Sequence, residues 1–438
     1  MIFSGLSKET IFAPATAKGK SAVAIIRISG AKTAKVLIDL IGSVPQEREL
    51  SLRRLKHPQS GEFLDQAMVV FFPNGQSYTG EEAAELHIHG GRATLNAVAN
   101  CLLEEGLRMA EPGEFTLRAL QNGKMDLAQV EGLGDLIEAE TEAQRKQAHL
   151  AHDGTVTKAS SGWKKDLTYC LALLETEIEF SEEDLPPNVK NQARNVILQL
   201  QETLEGEVGG VAMAERLREG FEVAIIGQPN SGKSTLLNYL AGREAAITSN
   251  YAGTTRDVLE VYMDLEGLPV CFLDTAGIRD SSDPIEKIGI ERTKTRARDA
   301  DMRIFLLEED QQPFPEIEYQ EGDLALRAKA DLIKETQSRG ISGLTGQGVD
   351  LMLQDISRVL ENRIAKVGVV TNARHRRAIN QSLEHLAKAY SELGRENCRD
   401  EIVAEDLRQA IRALETIAGT IDIEQVLGEI FANFCIGK

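Results

Sequence analysis

Basic side chains are in short supply. The 438 residues hold 49 Lys+Arg against 68 Asp+Glu, a formal net charge of -19. Such a surface repels a phosphate backbone, which argues against a general nucleic-acid binder and leaves RNA contact to a local basic patch or a basic partner. Cysteine is sparse too. Cys101, Cys170, Cys271, Cys398 and Cys435 are odd in number, widely spaced and form no CxxC pair, so neither a zinc site nor a disulfide framework is indicated. No apolar run is long enough to span a bilayer, and nothing resembles a signal peptide. The expectation is a protein of the reducing cytoplasm with no membrane association. Apolar residues make up 42%, ample for folded cores, and the length predicts two to four domains.

The most specific stretch is Gly227-Gln228-Pro229-Asn230-Ser231-Gly232-Lys233-Ser234-Thr235. An apolar run, Val223 to Ile226, precedes it, and a helical pattern, Leu236 to Leu240, follows. Strand, glycine-bearing loop and helix together form the context of a phosphate-binding loop. The loop N–H groups and the helix N-terminus cradle phosphate oxygens. Lys233 is placed to reach the β- and γ-phosphates and Ser234 to hold Mg²⁺.

Four further elements follow in the order of a Ras-like GTPase. Gly253-Thr254-Thr255-Arg256-Asp257 offers Thr255 to complete the Mg²⁺ shell. Asp274-Thr275-Ala276-Gly277 ends an apolar strand; Asp274 can hold the Mg²⁺ waters and the Gly277 N–H can contact the γ-phosphate. In Ala328-Lys329-Ala330-Asp331, Asp331 can accept from the guanine N1 and N2 donors while the Lys329 stem covers the ring. Ala328 stands where such a base reader has asparagine. The lost amide typically costs on the order of 1–3 kcal/mol, which predicts weaker binding with guanine still preferred. Ser342-Gly343-Leu344 is the fifth element, beside a weak strand. Ile278 follows the Asp-x-x-Gly turn where many Ras-like proteins carry a water-orienting glutamine. The ordered water and charge neutralisation that hydrolysis needs must then come from elsewhere, such as Glu286, a monovalent cation or a second subunit.

Around this centre the chain divides into four stretches. Residues 1–118 read as α/β, with strands at 22–28, 67–72 and 84–89. The period of the last puts Glu85, His87 and His89 on one face, and with no third ligand evident the histidines read as solvated or hydrogen-bonded rather than metal-binding. Glu111 to Thr116 opens a helix. Residues 119–215 are helical in texture, broken by a loop at Ser181 to Pro187. Residues 216–365 carry the nucleotide chemistry. Residues 366–438 hold two amphipathic helices, Arg374 to about Leu393 and Ile402 to Ile417, too few to bury a core alone. They are expected to pack on the earlier helices, giving an N-terminal α/β domain and a discontinuous helical domain with a Ras-like P-loop G domain inserted. A lysine in the last position rules out a prenylation box.

The chain resembles the MnmE (TrmE) family of tRNA modification GTPases. The resemblance covers nearly the whole length. Beyond the nucleotide motifs it rests on Arg27-Ile28-Ser29-Gly30, Tyr78-Thr79-Gly80-Glu81, Pro112-Gly113-Glu114-Phe115-Thr116, Lys124-Met125-Asp126-Leu127-Ala128-Gln129, Ile288-Gly289-Ile290-Glu291-Arg292 and Cys435-Ile436-Gly437-Lys438. It implies a homodimer formed through the N-terminal domain. That domain binds a 5-formyl- or 5,10-methylene-tetrahydrofolate as one-carbon donor. It also implies a heterotetramer with the FAD-dependent partner MnmG (GidA), adding an aminomethyl or carboxymethylaminomethyl group to carbon 5 of the tRNA wobble uridine. The G domains meet in the presence of K⁺, whose charge stands in for an arginine finger.

By matching motif, the resemblance makes Asn230 the K⁺ side-chain ligand, with Ser249, Tyr251 and Thr254 in the loop of further K⁺ contacts. Ser234 and Thr255 become the Mg²⁺ ligands, and Glu286 the residue that positions the attacking water. Arg27, Glu85, Lys124 and Lys438 match folate-contacting positions, and Cys435 matches a cysteine required for the modification. This chain departs from the pattern at Ala328 and at Lys18 to Ala22, where the family has a more glycine-rich turn. A third departure is the short segment between Leu307 and Ala328, whose Pro313 and Pro315 suggest a trimmed G-domain edge. Two readings from other classes are a ribosome-assembly or translation GTPase acting as an RNA-binding switch, which needs a basic module this acidic chain lacks, and a nucleotide-gated interaction protein without turnover.

Overall fold

The computed structural model describes residues 9–17, 19–179, 189–247, 260–274, 295–308, 317–332, 339–364, 368–419 and 437. Six strands come first: β1 (Ile11–Pro14), β2 (Val23–Ser29), β3 (Ser51–Lys56), β4 (Phe63–Phe72), β5 (Ala83–His89) and β6 (Arg108–Met109). Helices α1 (Thr33–Ile41), α2 (Arg92–Glu104) and α3 (Glu114–Gln121) are interspersed among or follow them. Then come α4 (Leu127–Glu138), α5 (Glu142–His152), α6 (Thr155–Glu179) and α7 (Val189–Glu219). The nucleotide region has β7 (Phe221–Gly227), α8 (Lys233–Ala241), β8 (Glu260–Leu265), β9 (Leu268–Asp274), β10 (Met302–Leu307), β11 (Leu324–Arg327) and α9 (Val349–Ile364). Two helices follow, α10 (Ala373–Leu393) and α11 (Asp400–Ala418). By contacts the chain forms two compact units, one of Met1–Gly134, His152–Lys164 and Ile411–Lys438, the other of Asp135–Ala151 and Lys165–Ala410.

In the first unit the six strands run in the order β3-β4-β5-β2-β1-β6. All pairs are antiparallel except β1 with β6. Alternation decides which face is buried. Ile26 and Ile28 of β2 and Leu86 and Ile88 of β5 point to a core shared with Val36, Leu37 and Leu40 of α1 and Val98 and Leu102 of α2. The opposite face therefore receives Arg27, Glu85, His87 and His89. Past α3 the chain turns at Lys124 into α4, whose start is a reciprocal capping pair: the Gln129 N–H donates to Asp126 Oδ1 at 2.9 Å, and the Asp126 N–H to Gln129 Oε1 at 3.1 Å.

The second unit holds a five-stranded sheet, β11-β10-β7-β9-β8, parallel except for the β8–β9 hairpin. β9 is buried along its whole length, as a strand covered on both faces should be. On one face, Val223, Ile225, Val270, Phe272 and Ile304 pack with Leu236, Leu237 and Leu240 of α8 and Met352, Ile356 and Leu360 of α9. On the other, Ala224, Ile226 and Phe305 meet Ala297, Ala300 and Ile317. The edge strand β11 is present though only four residues long; Pro313 and Pro315 lie outside the described residues, as does the expected loop at Ser181 to Pro187. The late helix α10 lies along α7, with the Arg194 guanidinium 4.5 Å from the Tyr390 ring centre and Arg376 3.5 Å from Glu215. Together the chain comprises an N-terminal α/β domain, a helical domain and a P-loop domain.

Candidate functional site

The phosphate loop leaves the C-terminal end of β7, the central strand of its sheet, and enters α8. Two residues take left-handed backbone, Asn230 at φ 67° and Gly232 at φ 94°, on either side of Ser231. Such a succession turns N–H groups inward into an anion-binding nest. Gly227 has no alternative: a Cβ there would lie 2.5 Å from Ser231 Oγ and 3.1 Å from Leu306 Cβ. Ser231 Oγ is buried and has no hydrogen-bond partner among the described residues. No side chain caps α8, so its first N–H groups face the loop. Lys233 is only 6% exposed and its Nζ donates to the carbonyls of Gly227 at 2.8 Å and Gln228 at 2.9 Å. Ser234 Oγ donates to Asp274 at 2.8 Å, the carboxylate being buried at the end of β9. A nest, an orphaned hydroxyl and a buried ammonium fit phosphate; a hydroxyl beside a carboxylate fits Mg²⁺, which prefers hard oxygen ligands.

The base-reading elements converge on the same loop. The Ala330 N–H donates to the Ile341 carbonyl at 3.1 Å, joining the Ala328–Asp331 turn to the Ser342 loop. That loop lies against the first turn of α8: a Cβ on Gly343 would come 2.5 Å from the Leu236 nitrogen. Ser342 is buried, and its Oγ accepts from the N–H groups of Leu344 and Thr345, each at 3.3 Å. Lys329 has φ 56° and its ammonium meets Glu308 at 2.5 Å; Asp331 is exposed. Ala328 is 4% exposed and belongs to the hydrophobic cluster, so the methyl fills core space where an amide was expected. Thr235 sits in the first turn of α8. The candidates Ser249, Tyr251, Thr254, Thr255, Thr275, Ala276, Gly277 and Glu286, with Ile278, lie outside the described residues.

In the N-terminal domain Arg27 and Glu85 are direct cross-strand partners. Arg27 Nε and Nη2 donate to Glu85 Oε1 at 3.1 and 3.0 Å. The guanidinium also stands 5.2 Å from the Tyr78 ring centre and 5.9 Å from that of Phe115. The two aromatics were legible only as parts of the Tyr78–Glu81 and Pro112–Thr116 blocks. Burial pushes the Tyr78 phenol up, outweighing its bond to Thr116 and the Arg27 charge. Lys124 crosses the loop that carries Tyr78, donating to the Gly75 carbonyl at 2.5 Å, with its Cε 3.2 Å from where a Gly80 Cβ would stand. Arg27 Nη1 reaches the Gly437 carbonyl at 3.4 Å. One loop thus gathers Arg27 and Lys124, and the Gly437 backbone arrives at the same guanidinium. A cation, an acid and two rings fit a conjugated, carboxylate-bearing ligand such as a folate. Cys435 and Lys438 lie outside the described residues. His87 meets Glu85 at 3.3 Å and His89 meets Asp65 at 2.7 Å, and among the described residues no cluster suited to a metal forms.

A nucleotide nest at the end of a central parallel strand, with a base-reading turn beside it, defines a P-loop nucleotide-binding protein. The profile of the MnmE helical domain matches residues 127–435, and that of the GTP-binding protein TrmE N-terminus matches residues 10–124. The chain belongs to the MnmE family. It is 50% identical to the tRNA modification GTPase MnmE of Cereibacter sphaeroides, 51% to that of Ruegeria pomeroyi and 45% to that of Phenylobacterium zucineum, in each case over 98% of this chain and 100% of the relative. Among solved structures it is similar to the G domain of the T. maritima FeoB iron transporter, at 22% identity, TM-score 0.24, and 32% and 97% coverage of this chain and that one. It is also similar to a GTP-binding protein of Sulfolobus solfataricus in complex with GDP, at 15% identity, TM-score 0.24, and 49% and 71% coverage.

Proposed function

We propose that this chain is a K⁺-activated GTPase that works as a homodimer with an FAD-dependent partner, of the MnmG kind, in a heterotetramer. Together they add an aminomethyl or carboxymethylaminomethyl group to carbon 5 of the wobble uridine of tRNA in the cytoplasm. The contact of Ser234 with Asp274 under the phosphate nest carries the nucleotide half of the reading. The modification half is supported by family membership over the full length and by the Arg27, Glu85 and Lys124 arrangement. Among the described residues no helix is long and apolar enough to cross a membrane.

In this reading Lys233 leaves its loop carbonyls for the β- and γ-phosphates, and the nest from Asn230 to Thr235 holds them. Ser234 and Thr255 would hold Mg²⁺, with Asp274 beside Ser234 ordering its waters; the ion would supply neutralisation of phosphate charge. Thr275, Ala276 and Gly277 approach the γ-phosphate, and Glu286 orients the attacking water. Asn230, Ser249, Tyr251 and Thr254 would hold K⁺, which would supply the positive charge an arginine finger otherwise brings. Lys329, Asp331 and Ser342 select guanine. In the N-terminal domain Arg27, Glu85, Lys124 and Lys438 hold the tetrahydrofolate derivative that furnishes the one-carbon unit, and Cys435 serves the modification. The division into residues 1–118, 119–215, 216–365 and 366–438, with the G domain inserted in the helical one, belongs to the same proposal. It is supported by a helical-domain profile whose match runs from residue 127 to residue 435, across the nucleotide region.

The test is GTP hydrolysis by the full chain in K⁺ and in Na⁺, with Asn230→Ala beside it. Strong K⁺ stimulation that Asn230→Ala abolishes is expected. Equal turnover in both salts would remove the cation mechanism, and nucleotide binding without turnover in either would turn the protein into a switch.

A further inference from the structure

The loop assigned to the base runs along one face of helix α8. Leu236, Tyr239 and Arg243 follow one another at steps of three and four, the spacing of a single helical face. Gly343, Gly346 and Asp350 advance by the same steps and meet them in turn. A Cβ on Gly343 would come 2.6 Å from Leu236 Cα and 2.8 Å from the Thr235 carbonyl carbon. A Cβ on Gly346 would run into the Tyr239 hydroxyl, and would lie 2.5 Å from Cζ and 2.9 Å from Cε2 of that ring. Arg243, just past the end of α8, bridges Asp350 in the first turn of α9 at 2.9 Å.

These contacts are not equal. Asp350 is 74% exposed, so water screens its ion pair and the pair adds little. The Tyr239 ring is half-buried and packs against the hydrophobic cluster of the sheet, which makes it a fixed seat for Gly346. The turn then transmits that position. The Gly346 N–H donates to the Ser342 carbonyl at 2.9 Å, and the Ser342 N–H donates to the Gln347 carbonyl at 3.0 Å. Closed by these two bonds, residues 342–347 move as one piece, so the place of Gly346 sets the place of Ser342. The phosphate nest does not depend on this seat. It is built from the loop before α8, and Tyr239 lies six positions past Lys233, about 9 Å along the helix.

We propose that Tyr239 is a positioning residue for base recognition, holding the turn 342–347 at a fixed span from the phosphate nest so that one nucleotide reaches both. The inference rests on the nucleotide-binding reading. A turn held in place before the ligand arrives has fewer conformations to lose on binding. Ala328 supplies no amide, so the Ser342 turn carries a larger share of the contact with the base. Removing the ring lets the turn drift from the base and leaves the nest as it was. The loss therefore falls on the affinity that comes from the base, and the affinity that comes from the phosphates is kept.

The experiment titrates the full chain with labelled GDP and then displaces the label with inorganic pyrophosphate. It compares wild type, Tyr239→Phe, Tyr239→Ala, Gly346→Ala and the double variant Tyr239→Ala with Gly346→Ala. Tyr239→Ala is expected to weaken GDP about tenfold, the scale of one lost hydrogen bond to the base, with pyrophosphate affinity unchanged. Tyr239→Phe keeps the ring and is expected to stay near wild type. Gly346→Ala pushes the turn off its seat from the other side and should weaken GDP in the same selective way, which keeps the comparison available if Tyr239→Ala does not fold. In the double variant the losses should fall short of their sum, because the added Cβ has room once the ring is gone. Equal weakening of GDP and pyrophosphate with a lowered melting temperature would overturn the proposal in favour of a merely structural contact, and so would unchanged GDP affinity in Tyr239→Ala. Wild type that binds no GDP would overturn the nucleotide reading, and this inference with it, before any variant is compared.

Discussion

Ser234 and Asp274 stand 40 positions apart in sequence, yet the serine hydroxyl donates to the aspartate carboxylate across 2.8 Å. Strand β9 ends where helix α8 begins, and the two oxygen-bearing side chains share one corner of the sheet. Because both are assigned to the same Mg²⁺, removing either should act on turnover far more than on fold. Ser234→Ala and Asp274→Ala should each lower GTP hydrolysis on the order of 100-fold. Phosphate release at saturating Mg²⁺, with circular dichroism as the folding control, checks this; turnover within a few-fold of wild type would disprove the assignment.

The N-terminal domain has its own charged core. Arg118, 4% exposed, bridges Glu114 at 2.9 Å and Glu81 at 2.9 Å, and Glu114, 2% exposed, is also bound by Arg108 at 2.6 Å. Cutting one member leaves a buried charge unpaired, so Arg118→Ala should cost about 3–5 kcal/mol in urea unfolding at pH 7. Burial works against the Glu114 carboxylate, but the bonds from Arg108, the Glu111 N–H and Arg118 hold its pKa below the ordinary 4.5. A depressed folded-state pKa means stabilisation that is complete above the ordinary value and lost as pH falls through the folded one. The gap between wild type and Arg118→Ala should therefore narrow in acid, which paired urea titrations at pH 7 and pH 3 would reveal.

Ala328 is packed into the core beside the base-reading turn. Ala328→Asn should tighten GDP binding about tenfold by restoring an amide hydrogen bond. The same change should lower thermal stability, because a larger, polar side chain must fit in close-packed space. Calorimetric titration and a melting curve on one preparation measure both; unchanged affinity would show that the position does not face the nucleotide.

Thiol chemistry separates the cysteines. Burial is the main cause that pushes Cys101, Cys170 and Cys398 up to about 11 and Cys271 to about 12. Thiolates are the reactive form, so these four should resist iodoacetamide at pH 8 in the folded protein. Peptide mass spectrometry should find these four unmodified, and rapid labelling of Cys271 would contradict the burial.

The legible parts were those whose chemistry is local. Gly227, Asn230 and Gly232 occupy tight-turn positions fixed by neighbours in sequence, and alternation put Glu85, His87 and His89 on one face. What stayed hidden is long-range. Arg27 meets Glu85 across 58 positions only because β2 and β5 pair in one register, and nothing in either strand's period names its partner. Tyr78 and Phe115 reach Arg27 from a loop and a helix. Ala328 was readable as a missing amide but not as part of a core. Thr255, Glu286 and Cys435, each assigned by motif, lie outside the described residues.

The buried methyl of Ala328 has a temporal side. Among variants of one binding site, affinity differences fall mostly on the dissociation rate, so a pocket lacking one hydrogen bond to its base empties sooner. Under the proposed function, an earlier departure of the product would shorten each turnover cycle.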